Sequence, residues 1–172
     1  MKFFLKIIML LSIFLTPCIS QAEEFLYILN DKCINDLYNL ASSYFNRTEI
    51  EVIRDARGII LRIKIVDSNT DKYNEIKKIE YFLAKIENPA IIEVHMGNFP
   101  KEELNNLKKW EVSTVIANKI EAIITKPEGV IPQNRINSVG YGEFLPAKNT
   151  PNNGGNYLNR IDIIILCNIS GE

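Results

Sequence analysis

Glu49-Ile50-Glu51-Val52-Ile53-Arg54 is followed, after Asp55-Ala56-Arg57-Gly58, by a stretch in which Ile59, Leu61, Ile63 and Ile65 alternate with Arg62 and Lys64. Successive side chains on a strand point to opposite faces, so this alternation predicts two strands with one buried face each. The tetrapeptide between them is a turn, and Gly58 suits a positive φ there. An isolated β-hairpin is marginal in water. It needs more strands beside it and a layer of side chains over its apolar face.

The flanking sequence supplies both. Ile34, Leu37, Leu40, Ala41 and Tyr44 recur at helical spacing, which predicts an amphipathic helix from Asp31 to Phe45. After the polar break Asp67-Ser68-Asn69-Thr70-Asp71, Ile76, Ile79, Leu83 and Ile86 share a second helical face, closed by Asn88-Pro89. Ala90 to His95 reads as a short apolar strand and Gly97-Asn98-Phe99-Pro100 as a loop. A long helix follows from about Lys101 to Lys126, carrying Leu104, Leu107, Val112, Ile116, Ile120 and Ile123. Pro127, Gly129 and Pro132 end it. Arg135 to Tyr141 is a strand, 142–155 a long loop, and Asn159 to Ile169 a final strand. The order α-β-β-α-β-α-β-loop-β predicts an α/β sandwich in which helices cover one face of a mixed sheet. Trp110 is expected to anchor the core rather than an interface.

The N-terminus is of another kind. Lys2 and Lys6 precede an apolar run from Ile7 to Leu15, and Ser20-Gln21-Ala22 offers small residues at the positions a signal peptidase reads. Residues 1–22 are therefore expected to be a signal peptide, 23–48 an N-terminal helical extension, and 49–172 the main domain. The apolar run falls short of the ~20 residues of a membrane span. Cys18 is a site for a lipid anchor, but Pro17 stands where lipidated cysteines have a small residue, which disfavours that reading. Export leaves Cys33 and Cys167 in an oxidising space, where a bridge between them is favoured over two buried thiols.

Charge and motifs exclude several classes. The formal charge is −1, with lysines scattered among glutamates, so no basic stripe for nucleic acid is present. His95 is the sole histidine. No cysteine or second histidine lies at ligand spacing from it and no nucleophile motif accompanies it, so it reads as structural. No catalytic residue, metal or cofactor is expected.

Four local words carry a resemblance. They are Val94-His95-Met96-Gly97, Trp110-Glu111-Val112-Ser113-Thr114-Val115-Ile116-Ala117, Gly140-Tyr141-Gly142-Glu143-Phe144-Leu145-Pro146 and Asn159-Arg160-Ile161-Asp162-Ile163. In this order, from Ile50 to Leu166, the chain resembles the OmpA-like domain, also found at the C-terminus of MotB-type stator proteins. The resemblance implies a periplasmic or outer-membrane-associated protein that holds peptidoglycan non-covalently through the diaminopimelate of the stem peptide. It also implies pocket positions at His95, Gly97, Asn98, Ile116, Asn159 and Arg160.

That ligand presents an ammonium and a carboxylate on one carbon, so its pocket needs an anion and a cation. The family's Asp and Arg correspond to Gly97 and Ile116, which carry no charge. Removing one partner of such a charge pair costs ~2–5 kcal/mol. Asn98, Lys119 and Arg160 are the residues that could substitute. The expectation is a non-catalytic structural subunit of an envelope assembly, similar to DotK/IcmN-type accessory components of secretion systems, with envelope proteins as partners. The alternative is a peptidoglycan-binding module with an altered pocket.

Overall fold

The computed structural model describes residues 31–65, 72–97, 108–126, 129–144 and 159–167. Helix α1 covers residues 31–44. The hairpin β1 (Glu51–Asp55) and β2 (Gly58–Lys64) follows, then α2 (Tyr73–Leu83), β3 (Ala90–Met96) and α3 (Lys109–Ile124). A short 3-10 turn, Gln133–Arg135, leads into β4 (Ile136–Gly142), and β5 (Asn159–Leu166) completes the sheet. The strand order is β1-β2-β5-β3-β4. Among the described strands only β3 and β4 run parallel, with α3 as the crossover helix between them. The expected α/β architecture is therefore present. The signal peptide, Cys18, Asn98 and Pro146 lie outside the described residues.

Register divides the sheet's side chains into two sets. Ile59, Leu61 and Ile63 of β2 pair with Ile165, Ile163 and Ile161 of β5, which in turn face Ala90, Ile92 and Val94 of β3. All of these join one buried cluster with Ile34, Leu37, Ala41 and Phe45, with Ile76, Ile79, Phe82 and Leu83, and with Ala117, Ile120 and Ile124. This is the helix-covered face. Ile60 and Ile164 alternate to the other face, are buried there, and lie outside that cluster.

Several expectations shift by part of a turn. On α1 the buried positions are Ile34, Leu37 and Ala41, with Phe45 just beyond it, whereas Leu40 and Tyr44 are exposed. The aromatic rings of Tyr44, Phe45 and Phe82 nonetheless touch, with centroids 4.9–5.3 Å apart. The third helix runs Lys109–Ile124 after an extended Lys108 at φ −73°, ψ 145°, and the expected first turns at 101–107 lie outside the described residues. Its core face is Ser113, Ala117, Ile120 and Ile124, and Val112, Ile116 and Ile123 are half-buried on one flank. Trp110 is exposed, not a core anchor. The cause is close approach. A Cβ on Gly140 would collide with the backbone of Thr114, and one on Gly142 would lie 2.8 Å from the Trp110 nitrogen. Gly142 also has φ +54°, which favours glycine. Two glycines on β4 and the small Ser113 and Ala117 on α3 let helix and strand touch backbone to backbone. The larger apolar residues are turned aside.

Cys33 and Cys167 are joined in a disulfide across a sequence separation of 134. It ties α1 to the end of β5. On the chain-entropy account, closing so long a loop stabilises the fold by ~4–5 kcal/mol.

Candidate functional site

The face of the sheet away from the helices carries the charges. Glu93 and His95 of β3 stand opposite Asp162 and Arg160 of β5, and Arg62 of β2 stands opposite Asp162 from the other side. Arg62 donates to both Asp162 oxygens, Nε to Oδ1 at 2.7 Å and Nη2 to Oδ2 at 2.9 Å. Arg160 Nε adds a bond to Oδ2 at 2.8 Å. Glu93 accepts from Arg57 Nη1 at 3.2 Å. His95 Nε2 lies 3.6 Å from Glu93 Oε2 and 3.9 Å from Asp162 Oδ2, and its ring stacks on Tyr141 with centroids 5.3 Å apart. Tyr141 sits where the β3–β4 register shifts, between Val94 and His95. Glu93, His95, Arg160 and Asp162 are all buried.

Such a cluster invites a test as a metal site, since ligand atoms of Glu93, His95 and Asp162 lie within 4.8 Å of one another. The donor set does not fit. Both oxygens of Asp162 are held by guanidinium groups and Glu93 is held by a third, so a divalent ion would enter among three fixed cations. The arrangement is a buried ion network that ties β2, β5 and β3 together. At its rim, burial works to raise the Asp55 carboxyl, but the Arg57 hydrogen bonds and charge outweigh it and hold Asp55 below its usual range. The same Asp55 hydrogen bond raises Arg57, with Glu93 adding to it.

Among the sequence-derived pocket positions, register sets His95 opposite Arg160 and Asn159 opposite Met96, next to Gly97, while Ile116 lies on α3. Arg160 is 4% exposed and engaged with Asp162, so it does not face an outside carboxylate. Ile116 packs against the core from the flank of α3. Lys119 on the same helix is exposed. Asn159 pairs in register with Met96, and its carbonyl accepts from the Ile65 amide at 3.0 Å. Gly97, at the end of β3, gives its carbonyl to Lys109 Nζ at 2.7 Å, and that ammonium also lies 3.1 Å from Glu143 Oε2. Lys109 and Glu143 thus place a cation and an anion beside Gly97, a pair absent from the sequence expectations.

No family model and no curated protein matches the sequence. Solved structures do match it. A MotB-like protein from Desulfovibrio vulgaris is 19% identical over 80% of this chain and 93% of its own, with a TM-score of 0.65. The fold is OmpA-like. The periplasmic domain of Helicobacter pylori MotB is 16% identical over 67% of this chain and 80% of its own, with a TM-score of 0.54. The cell wall anchor of the type VI secretion system of Pseudomonas aeruginosa is 16% identical over 73% of this chain and 95% of its own, at 0.52. Within this OmpA-like frame, Glu93 and Asp162 are the functional-looking residues that motif reasoning passed over. Their signal was a lone acidic residue inside each of two apolar runs, Ala90–Met96 and Ile161–Leu166.

Proposed function

We propose that this chain is a non-catalytic, exported protein of the bacterial envelope, in which an OmpA-like domain serves as a structural subunit of a larger assembly. A secretion system with a DotK/IcmN-type accessory component is the model for it. The likeness to a MotB periplasmic domain and to a secretion-system cell wall anchor supports an envelope setting. The observation that carries the reading is the fate of the ligand-binding positions. Ile116 belongs to the core flank, Arg160 is spent on Asp162, and the Gly97 carbonyl is occupied by Lys109. A zwitterionic amino acid would find no free pair of opposite charges at those positions. Weakening by ~2–5 kcal/mol for each lost partner removes useful affinity.

One observation favours the alternative, a peptidoglycan-binding module with an altered pocket. Lys109 and Glu143 are a cation and an anion next to Gly97, and a ligand that broke their mutual contact could pair with both. Sedimentation with purified sacculi separates the two readings. The structural reading expects the protein in the supernatant, and in-cell cross-linking to defined envelope proteins. Retention on sacculi that disappears in Lys109→Ala and Glu143→Ala would replace it with the alternative.

A further inference from the structure

The sheet ends on two strands, β1 and β4, whose outer edges differ in chemistry. β1 has five residues and carries Glu51, Arg54 and Asp55. β4 has seven, Ile-Asn-Ser-Val-Gly-Tyr-Gly, with no charge and no proline. Free edges are usually blunted by shortness, charge or proline because an unpaired ladder recruits another strand. β1 is blunted in two of these ways and β4 in none of them, its one interruption being the register shift at Tyr141 near the strand's end. Among the described residues, no strand pairs with the outer side of β4.

The pattern of β4 also suits its own copy. Antiparallel pairing about a two-fold axis at Val139 sets Val139 opposite Val139, Ser138 opposite Gly140, and Asn137 opposite Tyr141. No like charges meet. The same operation on β1 about Ile53 sets Glu51 against Asp55, a repulsive pair. The surroundings agree. Trp110, Val115, Val130 and Phe144 are exposed, and they lie on α3 or beyond the two ends of β4. Antiparallel pairing carries the start of one β4, with Val130 before it, toward the end of the other, where Phe144 and Trp110 stand. α3 runs antiparallel to β4, with Trp110 beside Gly142 and Asn118 bonded to Ser138, so the two copies of α3 would flank the axis.

We propose that β4 is a homotypic docking edge, through which two copies of this chain join their sheets into one. The contact is isologous, as a two-fold interface requires. Main-chain hydrogen bonds supply the attraction, and the apolar residues at the strand ends seal it. The flanking helix carries Lys109, Glu111, Lys119 and Glu121, two charges of each sign, so the paired helices bring no net repulsion to the axis.

The test is sedimentation equilibrium on the full exported chain. A concentration-dependent dimer is expected for the natural sequence. Val139→Lys, which places two ammonium groups at the axis, weakens it at least ~tenfold, and Ile53→Lys on the opposite edge leaves it unchanged. Val139→Cys provides a readout that does not depend on tolerating a lysine: mild oxidation links two copies covalently, whereas Ile53→Cys does not cross-link. A protein that stays monomeric, a dimer that Val139→Lys leaves intact, or cross-linking through residue 53 rather than 139 overturns the proposal. A Val139→Cys variant that cross-links in cells only to a different protein also overturns it and assigns the edge to that partner.

Discussion

On β5, Ile161, Ile163 and Ile165 face the helices, while Arg160 and Asp162 point the other way, and both sets are buried. The two faces of one strand therefore solve different problems. Apolar burial on the helix side supplies the driving force, at roughly 25 cal/mol per Å² removed from water, and it has no directional preference. It is also a poor guide to register here. Ile163, Ile164 and Ile165 are consecutive isoleucines, so sliding β5 by one residue would still present Ile164 to the helices, with Asp162 beside it. A slip normally turns the whole apolar set to the wrong side, but here the isoleucines alone resist it only in part. The Arg62–Asp162–Arg160 bonds discriminate where the isoleucines cannot, since a slip of one residue sends Asp162 to the helix face. Buried ion pairs are weak evidence for net stability. Here their geometry points to register as their contribution.

Four substitutions probe this contrast. The largest effect is expected on the charged face. Asp162→Ala leaves Arg62 and Arg160 facing each other without their shared carboxylate, and urea unfolding should show a loss of ~3–5 kcal/mol. A loss no greater than the ~0.5–1.5 kcal/mol expected for Ile163→Val next door would mean that the network contributes little. The intermediate effect lies on the helix face. Gly140→Ala forces a methyl into the Thr114 backbone, so a cost of ~1–3 kcal/mol is expected, with α3 displaced from β4 in the crystal structure of the variant. A neutral result would show that the backbone contact is slack.

The smallest effect is acid dependence at the rim. Asp55 has its folded-state value lowered by Arg57, so the unfolded chain takes up that proton first as pH falls. The contribution is complete above the ordinary carboxylate range and fades between that range and the lowered value. Thermal melts of the natural protein and Asp55→Asn should differ slightly near neutrality and converge in acid; a gap that widens on acidification would reverse the assigned direction.

These contrasts also explain what the sequence could and could not reveal. The hairpin was legible because Ile59, Leu61 and Ile63 alternate with Arg62 and Lys64, a period only a strand satisfies. The helices were legible by spacing, and the pairing of Cys33 with Cys167 was expected from the reading of the N-terminus as an export signal. The buried network was not legible. Alternation alone marks Glu93 and Asp162 as facing away from the core, and it says nothing about which distant strand will stand alongside. Bringing them opposite one another depends on β5 inserting between β2 and β3, a fact of topology. Trp110 was misjudged for a related reason. Size suggested a core anchor, but the two glycines of β4 draw small residues of α3 inward and leave no room beneath the helix for an indole.

The cross-link between residues 33 and 167 has a mechanical consequence. Tension arriving through the chain before Cys33 and leaving after Cys167 would pass from sulfur to sulfur, bypassing every strand and helix in between. Any stretching between two fixed points would then load a covalent shortcut while the fold itself stayed slack, until a reductant opened the clasp.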